Sequence, residues 1–457
     1  MIKDIKRCET HSHSHYSNIR LIDSINRPED LITKAYELGL FGIALTDHEC
    51  VSGAVDFLNA EKELKSKGKI PEDFKCILGN EVYLTDTREP KQKYFHHILI
   101  AKDTIGFRQL RELSSTAWIN MYNYRGMDRV PLLRNELEEK VMENPGHLIS
   151  TSACIGGRLG SLVFAIRDEQ DEEKIYTLKK EIVDFIDWNK ALFGDDFYIE
   201  VAPGTSKDQI FFNRFIKNVA DACDCKMIMA TDAHYLTAEH RAVHRGYLNS
   251  KEGEREVDSF YYDSHLMDNE EAFANFQKSG YTEENFITLC ASTMEVYDKV
   301  VGYNIFHKPI IPEEKVKDYP KTLSYFDGAG ANKYPILKEL LLSDNVQERY
   351  WVNECLKSLA DKNLFCGEYL DRLNTEARVI KVISTKLENC LFAYFNTFQH
   401  FIDIFWQCGS IVGPGRGSSV CFLSNYLLGI TQLDPIKEGL TMWWRLTRIG
   451  SKVSYLW

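Results

Sequence analysis

Between Ile5 and Leu236 the chain alternates two kinds of apolar pattern. Short runs rich in β-branched and aromatic residues predict strands: "KRCETHSHS", "GIALTDH", "CILGNEVYL", "HHILIAK", "HLISTSA", "FYIEVAP" and "MIMATDAH". Between them lie stretches with apolar positions at helical spacing, among them "PEDLITKAYELG", "AVDFLNAEKELKSKG", "GFRQLRELSSTAWINM" and "DQIFFNRFIKNVADA". The first opens with Pro28, Glu29 and Asp30 and stops at Gly39, a helix start and a helix stop. Strands alternating with helices imply a parallel sheet. Seven of them fit a doubly wound sheet or a closed βα barrel. The barrel is preferred, because chemistry-bearing residues sit at the C-terminal end of nearly every strand, where a βα barrel places its active site.

After Ser250 the pattern changes. "HLMDNEEAFANF" and "YTEENFITLCASTMEVYDKV" read as short helices, and the Pro-rich "FHKPIIPEEKVKDYP" as a domain boundary. "PILKELLLSDNVQERYWVNECLKSLADKN" and "YLDRLNTEARVIKVI" read as further helices leading into a Gly-rich loop. The expected fold class is therefore α/β, a distorted seven-stranded βα barrel followed by a mostly helical region.

Composition narrows the setting. No apolar run reaches the ~18 residues of a membrane span. The start "MIKDIKRCETHSHS" is charged where an export signal needs an apolar core, so a cytoplasmic location is expected. Twelve cysteines without a CxxC pair fit reduced thiols there. A net charge of −12 argues against a surface that grips nucleic acid all over, though not against a local basic groove.

The strand ends carry the chemistry. In "THSHSHYS", alternate side chains of an extended strand share a face, so His11 and His13 project together about 7 Å apart. His15 is read as a solvated strand-end histidine. Asp47 and His48 end "ALTDHE", Glu81 lies in "GNEVYL", and His96 and His97 open "HHILIAK". Cys154 ends "STSAC", Asp232 and His234 alternate in "ATDAHYL", and Asp23 lies in the loop after the first strand. Mixed imidazole and carboxylate ligands suit Zn, Mn or Fe better than Ca. There are too many for one tetrahedral site, which implies two or three divalent metals of the kind that clamp a phosphoester.

These segments resemble the PHP domain (polymerase and histidinol phosphatase), over roughly residues 1–290. The resemblance implies a distorted seven-stranded βα barrel with a trinuclear metal site. Carried over residue by residue, its ligands fall on His11, His13, Asp23, His48, Glu81, His97, Cys154, Asp232 and His234. His97 is chosen over His96 because "HILIA" fits the family spacing.

The second constellation is "VGPGRGSS". Gly413, Gly415 and Gly417 let backbone N–H groups form an anion nest, and Arg416 adds a phosphate-matching fork. Ser418 and Ser419 add hydroxyls at the expected start of a helix, "SSVCFLSNYLLG". The run "YFNTFQHFIDIFWQCGSIVGPGRGSSVCFLSNYLLGITQLDPI" is similar to the start of the palm in bacterial DNA polymerase III alpha subunits, the C-family replicases. That family carries a PHP domain directly before its palm, so residues 291–457 are expected to begin a palm region.

The resemblance implies a DNA-directed DNA polymerase, a nucleotidyltransferase that uses Mg, a primer-template and deoxynucleoside triphosphates. It also implies partners such as a sliding clamp, an exonuclease subunit or a second polypeptide completing the polymerase. A pair of palm aspartates is expected shortly after "GLTMWWRLTRI", where "GSKVSYLW" stands instead. The expectation is a palm cut short before its catalytic aspartates, in a chain that does not polymerise alone. Two other functions are weighed: a metal-dependent phosphoesterase or 3′–5′ exonuclease in the barrel, and a metal-stapled scaffold without activity.

Overall fold

The computed structural model describes residues 2–20, 22–250, 261–307 and 310–442. The chain forms two compact units, Met1–Phe306 and His307–Trp457. No helix among the described residues is long and apolar enough to cross a membrane.

The first unit is built on strands β1 (Gly42–Leu45), β2 (Lys75–Thr85), β3 (Phe95–Ala101), β4 (Tyr122–Tyr124), β5 (Met127–Arg129), β6 (Leu132–Leu133), β7 (Leu148–Thr151), β8 (Phe197–Val201) and β9 (Met227–Met229). Seven of them form one sheet in the order β1-β2-β3-β7-β8-β9, with β6 pairing on β2, while β4 and β5 form a separate hairpin. The sheet is not wholly parallel: β3 runs antiparallel to both β2 and β7. The link from Thr85 to Phe95 carries no helix, and without a long crossover the chain returns antiparallel.

The Lys6–Ser14 stretch, expected as a strand, is held by single bridges on both sides. Glu9 pairs with Ile43, and Ser12 with Ala233. Backbone hydrogen bonds from Ala44 to Glu9 and from Thr46 to Ser12 tie it to β1 and its continuation, and bonds between His11, His13 and Ala233 tie it to the chain beyond β9. The N-terminal segment thus joins the two ends of the curled sheet.

Side-chain alternation divides the strands between two cores. Ile77, Ile98, Ile100, Ile149, Tyr198 and Ile228 pack together inside the curl, with Val296 and Val300. Leu78, Leu99, Ala101 and Leu148 face outward against helices such as Pro28–Glu37, Ala54–Ser66 and Lys207–Ala222.

The second unit is helical: Pro335–Leu341, Val346–Asp361, Gly367–Leu387, Leu391–Gln407 and Leu423–Leu427 enclose Trp351, Leu373, Ile380 and Phe392. The Leu391–Gln407 helix buries Phe392 and Phe395 but exposes Phe398, Phe401, Phe405 and Trp406. The single helix expected from Ser418 is instead a 3-10 turn, Gly417–Cys421, and the short helix Leu423–Leu427. Phe422 between them is extended, and the buried Glu376 carboxylate accepts hydrogen bonds from the backbone N–H groups of Leu423 and Ser424. That carboxylate starts a new helix at Leu423 and so breaks the expected one. The segment "WWRLTRIGSKVSYLW", with the expected palm continuation, lies outside the described residues.

Candidate metal centre

The chain turns sharply beside the pocket after β1, β7 and β9. Glu49, Ala153 and Asp232 have left-handed backbones, with φ of 59°, 59° and 50°. Such conformations in non-glycine residues cost of order 1–3 kcal/mol each and concentrate at functional sites. Here they flank His48 and Cys154 and include Asp232 itself.

The imidazoles are held from behind. His11 Nδ1 lies 2.7 Å from Glu200 Oε1. His13 Nδ1 lies 3.1 Å from Ser17 Oγ, which in turn donates to Asp47 Oδ1 at 2.8 Å. His234 Nδ1 donates to the Asp232 carbonyl at 2.8 Å. With their Nδ1 atoms engaged, His11, His13 and His234 turn their Nε2 atoms into the pocket, the orientation that ligating histidines need.

There the donor atoms crowd. His11 Nε2 and His13 Nε2 are 3.0 Å apart. Asp232 Oδ1 is 3.2 Å from the first and 3.1 Å from the second. Glu81 Oε2 is 3.2 Å from His13 Nε2 and 2.8 Å from His48 Nδ1, while Glu81 Oε1 is 2.5 Å from His96 Nδ1. Asp23 Oδ2 is 2.5 Å from His48 Nε2 and 3.2 Å from His234 Nε2, and Tyr261 donates to its other oxygen at 2.6 Å. Three overlapping groups each bring their donors within 4.8 Å of one another: His13, His48 and His234; His11, His13 and Glu81; His48, Glu81 and His96.

Proximity and hydrogen bonding disagree in an informative way. Despite these short distances, both Glu81 oxygens and Asp232 Oδ1 are buried without a hydrogen bond of acceptable geometry. The lone pairs converge on shared space rather than on N–H groups. A buried carboxylate left so is costly unless a cation compensates it. The donor set of imidazoles, carboxylates and the Cys154 thiol fits divalent transition metals in more than one position.

The electrostatics agree. Burial alone would push His11 down, but Asp232, Glu200 and Glu81 hold it well above the ordinary imidazole range. His48 is likewise raised by Glu81 and Asp23 against its burial, and His234 by Asp23 and Asp232. His13 goes the other way, lowered by burial and by the charges of His48 and His234. Burial would raise Asp23, Glu81 and Asp232, yet the surrounding imidazoles hold all three below the carboxylate range. Without metal, carboxylates and imidazolium ions neutralise one another, and protons occupy the charge that cations would supply. Burial together with Asp232 and Glu81 pushes the Cys154 thiol well up, a shift that a nearby cation would reverse.

Of the expected ligands, the structure gathers His11, His13, Asp23, His48, Glu81, Asp232 and His234 in one pocket. Cys154 lies beside it, with Sγ 3.7 Å from His96 Nδ1. His97 is a correction. In β3, His96 has the interior parity of Ile98 and Ile100, whereas His97 has the outward parity of Leu99. His97 packs near Phe185 and Trp188, with Nε2 2.8 Å from Ser150 Oγ, and burial and Arg134 bring it down to about 3. Two acids were missed. Glu200 lies one residue before the end of β8 with the interior parity of Tyr198, so its position was a readable signal. Glu9 has the parity of His11 and His13, and its buried carboxylate accepts from the backbone of Thr10, His11 and Thr231.

The Gly-rich loop is built differently. Gly413, Gly415, Arg416 and Gly417 are exposed, and Ser418 and Ser419 are partly so. Gly415 has φ of 111°, and a Cβ there would come within 2.8 Å of Val420 and 2.9 Å of Thr431. Ser419 Oγ donates to the Arg416 carbonyl at 2.7 Å, stabilising the loop itself.

Comparison with known proteins finds two families along the chain. Residues 9–203 match the PHP domain, and residues 338–452 match the bacterial DNA polymerase III alpha NTPase domain. The chain is 36% identical, over 95% of its length, to the probable DNA polymerase YorL of Bacillus subtilis strain 168, and covers 35% of that protein. The same values hold for the DNA-directed DNA polymerase of Bacillus phage SPbeta. It is 29% identical, over 94% of its length, to the DNA polymerase III subunit alpha of Campylobacter jejuni, covering 34% of it. The chain thus spans about a third of the length of these curated relatives.

Proposed function

Because this chain is a homologue of bacterial DNA polymerase III alpha subunits and of the DNA-directed DNA polymerase of Bacillus phage SPbeta, with matches to a PHP domain and then to a bacterial DNA polymerase III alpha NTPase domain, we propose that it serves as the N-terminal part of a replicative DNA polymerase. The observation that carries this is the order of the two domains within a single match spanning 95% of the chain. We take residues 1–290 as the PHP domain and 291–457 as the region that begins the palm. In the longer protein, the substrates would be a primer-template and deoxynucleoside triphosphates. The exposed loop from Gly413 to Ser419 would meet the triphosphate through Arg416 and backbone N–H groups. A chimera carrying this chain in place of the matching third of the SPbeta polymerase tests the reading. Template-directed primer extension, weakened by Arg416→Ala, supports it; a folded chimera that extends nothing contradicts it.

A second reading rests on the pocket itself. We propose that His11, His13, Asp23, His48, Glu81, His96, Cys154, Asp232 and His234 hold two or three divalent ions, and that the barrel is a phosphoesterase acting on DNA ends. Bound ions would supply Lewis-acid polarisation of the phosphate and a water nucleophile at neutral pH. The residues' own part is to fix donor positions: Glu200, Ser17 and Asp47 orient His11 and His13, and Tyr261 orients Asp23. In the reaction water oxygen bonds to phosphorus, the bond from phosphorus to the leaving sugar oxygen breaks, and that oxygen takes up a proton. Incubating the chain with Mn and a 3′-labelled primer separates this from a scaffold role. Released mononucleotide supports hydrolysis; a site that only changes the melting temperature supports the scaffold.

A further inference from the structure

An open groove of about 600 Å³ lies beside the pocket. Its lining includes Lys91, Lys93, Tyr94, Tyr122, Arg125 and Arg129, and no carboxylate among the described residues. On a chain of net charge −12 this is a concentrated exception. Among the described residues, none of these four cations is ion-paired with a carboxylate. The two arginines meet tyrosines instead. Arg129 Nη1 donates to Tyr94 Oη at 2.6 Å, and the Arg125 guanidinium sits 5.2 Å from the centre of the Tyr124 ring.

The β4–β5 hairpin sorts its charges by face. Tyr122 pairs with Arg129 and Tyr124 with Met127, so these share one side. Asn123 and Asp128 pair on the other, where Asn123 donates to Asp128 at 2.9 Å. Arg125 and Gly126 form the turn with φ of 54° and 76°, a two-residue primed turn that holds the hairpin in register.

A stack of rings connects groove and pocket. Tyr94 lies 5.1 Å from Tyr83 at an interplanar angle of 13°, and Tyr83 lies 4.8 Å from His96 at 21°. Gly156, also in the groove lining, packs on His96, where a Cβ would come within 3.2 Å of the ring.

We propose that this groove binds single-stranded DNA and leads a strand end to the His96 side of the metal pocket; the second half of that statement rests on the phosphoesterase reading. Unpaired cations along an open channel neutralise backbone phosphates, and accessible aromatic faces stack on unpaired bases of any sequence. A duplex keeps its bases stacked on one another and offers none to these rings, and an acidic protein segment would use the cations but not the stacking faces.

The test is fluorescence anisotropy of a 5′-labelled oligothymidylate against the chelator-treated full chain. Binding is thereby measured independently of metal and hydrolysis, and a failure of the metal reading leaves the result standing. The double variant Tyr122→Ala/Tyr124→Ala should weaken binding about tenfold, the scale of losing one or two stacked bases, with an unchanged dependence on salt. The double variant Lys91→Ala/Arg125→Ala should weaken it and flatten the slope of log affinity against log salt by roughly 0.7 per cation removed. Unchanged melting temperatures would show that both variants fold. Equal affinity for a duplex of the same length, affinity untouched by either double variant, or a polyglutamate probe bound as tightly as the oligonucleotide would overturn the proposal.

Discussion

The pocket in the first unit and the Gly-rich loop in the second are the two places where the sequence concentrates chemistry, and they are built in opposite ways. The pocket draws one or two residues from each of several segments between His11 and His234, buries them, and holds them from behind with Glu200, Ser17 and Tyr261. The loop draws all of its groups from one exposed stretch, and its serine spends its hydrogen bond on the loop's own backbone. Burial makes the pocket an energetic commitment: removing one member leaves charge that nothing offsets. The loop carries no such commitment, since its exposed groups can be changed at little cost to the fold.

The largest effect should come from the centre of the pocket. Glu81 stands between His11, His13, His48 and His96. Glu81→Ala should cost the first unit about 3–5 kcal/mol, the scale for breaking a buried ion pair, as measured by urea unfolding, and should abolish metal binding.

The pH dependence follows from the opposed shifts. Raised His11, His48 and His234 stabilise the metal-free protein below about pH 6.5, and this stability is lost as pH rises through their folded values. Depressed Asp23, Glu81 and Asp232 stabilise it above about pH 4, and this is lost as pH falls through theirs. The metal-free chain therefore weakens on the alkaline side, where deprotonated imidazoles bind metal best. The rise in melting temperature on adding Mn or Zn should be greater at about pH 8.5 than at about pH 6. An equal or smaller rise at the higher pH would count against the ligand set.

Smaller still is the effect of a group behind the pocket. Glu200→Gln keeps the shape beside His11 but weakens its hold on Nδ1, and should lower metal affinity by roughly 10–100-fold in a competition titration with a chelator. At the other site, Arg416→Ala should change stability by less than about 0.5 kcal/mol and leave metal content unchanged. A loss in either would mean that the loop is tied into the fold more firmly than its exposure shows.

The same contrast governs what could be read from the sequence. That residues near successive strand ends converge on one pocket was legible because strand parity and the barrel's geometry turn sequence positions into directions. Choosing His97 by the spacing of "HILIA" failed because adjacent strand residues face opposite sides, and the parity of Ile98 and Ile100 already assigned the interior to His96. Glu200 was passed over although, one residue before the end of β8, it has the interior parity of Tyr198. The antiparallel β3 was hidden because strand patterns carry no direction; only the helix-free link after Thr85 hinted at it. The helix expected at Ser418 was lost to a distant residue, Glu376, whose buried carboxylate starts the helix five positions later than local signals indicate.

Elemental analysis of the purified chain beside its His96→Ala and His97→Ala variants tests the central claim most directly. Two or three divalent ions per chain are expected in the parent, fewer or more weakly held ions in His96→Ala, and the parent's content in His97→Ala. A parent that retains no metal after exposure to Mn, Zn and Fe, or a loss confined to His97→Ala, would contradict the account.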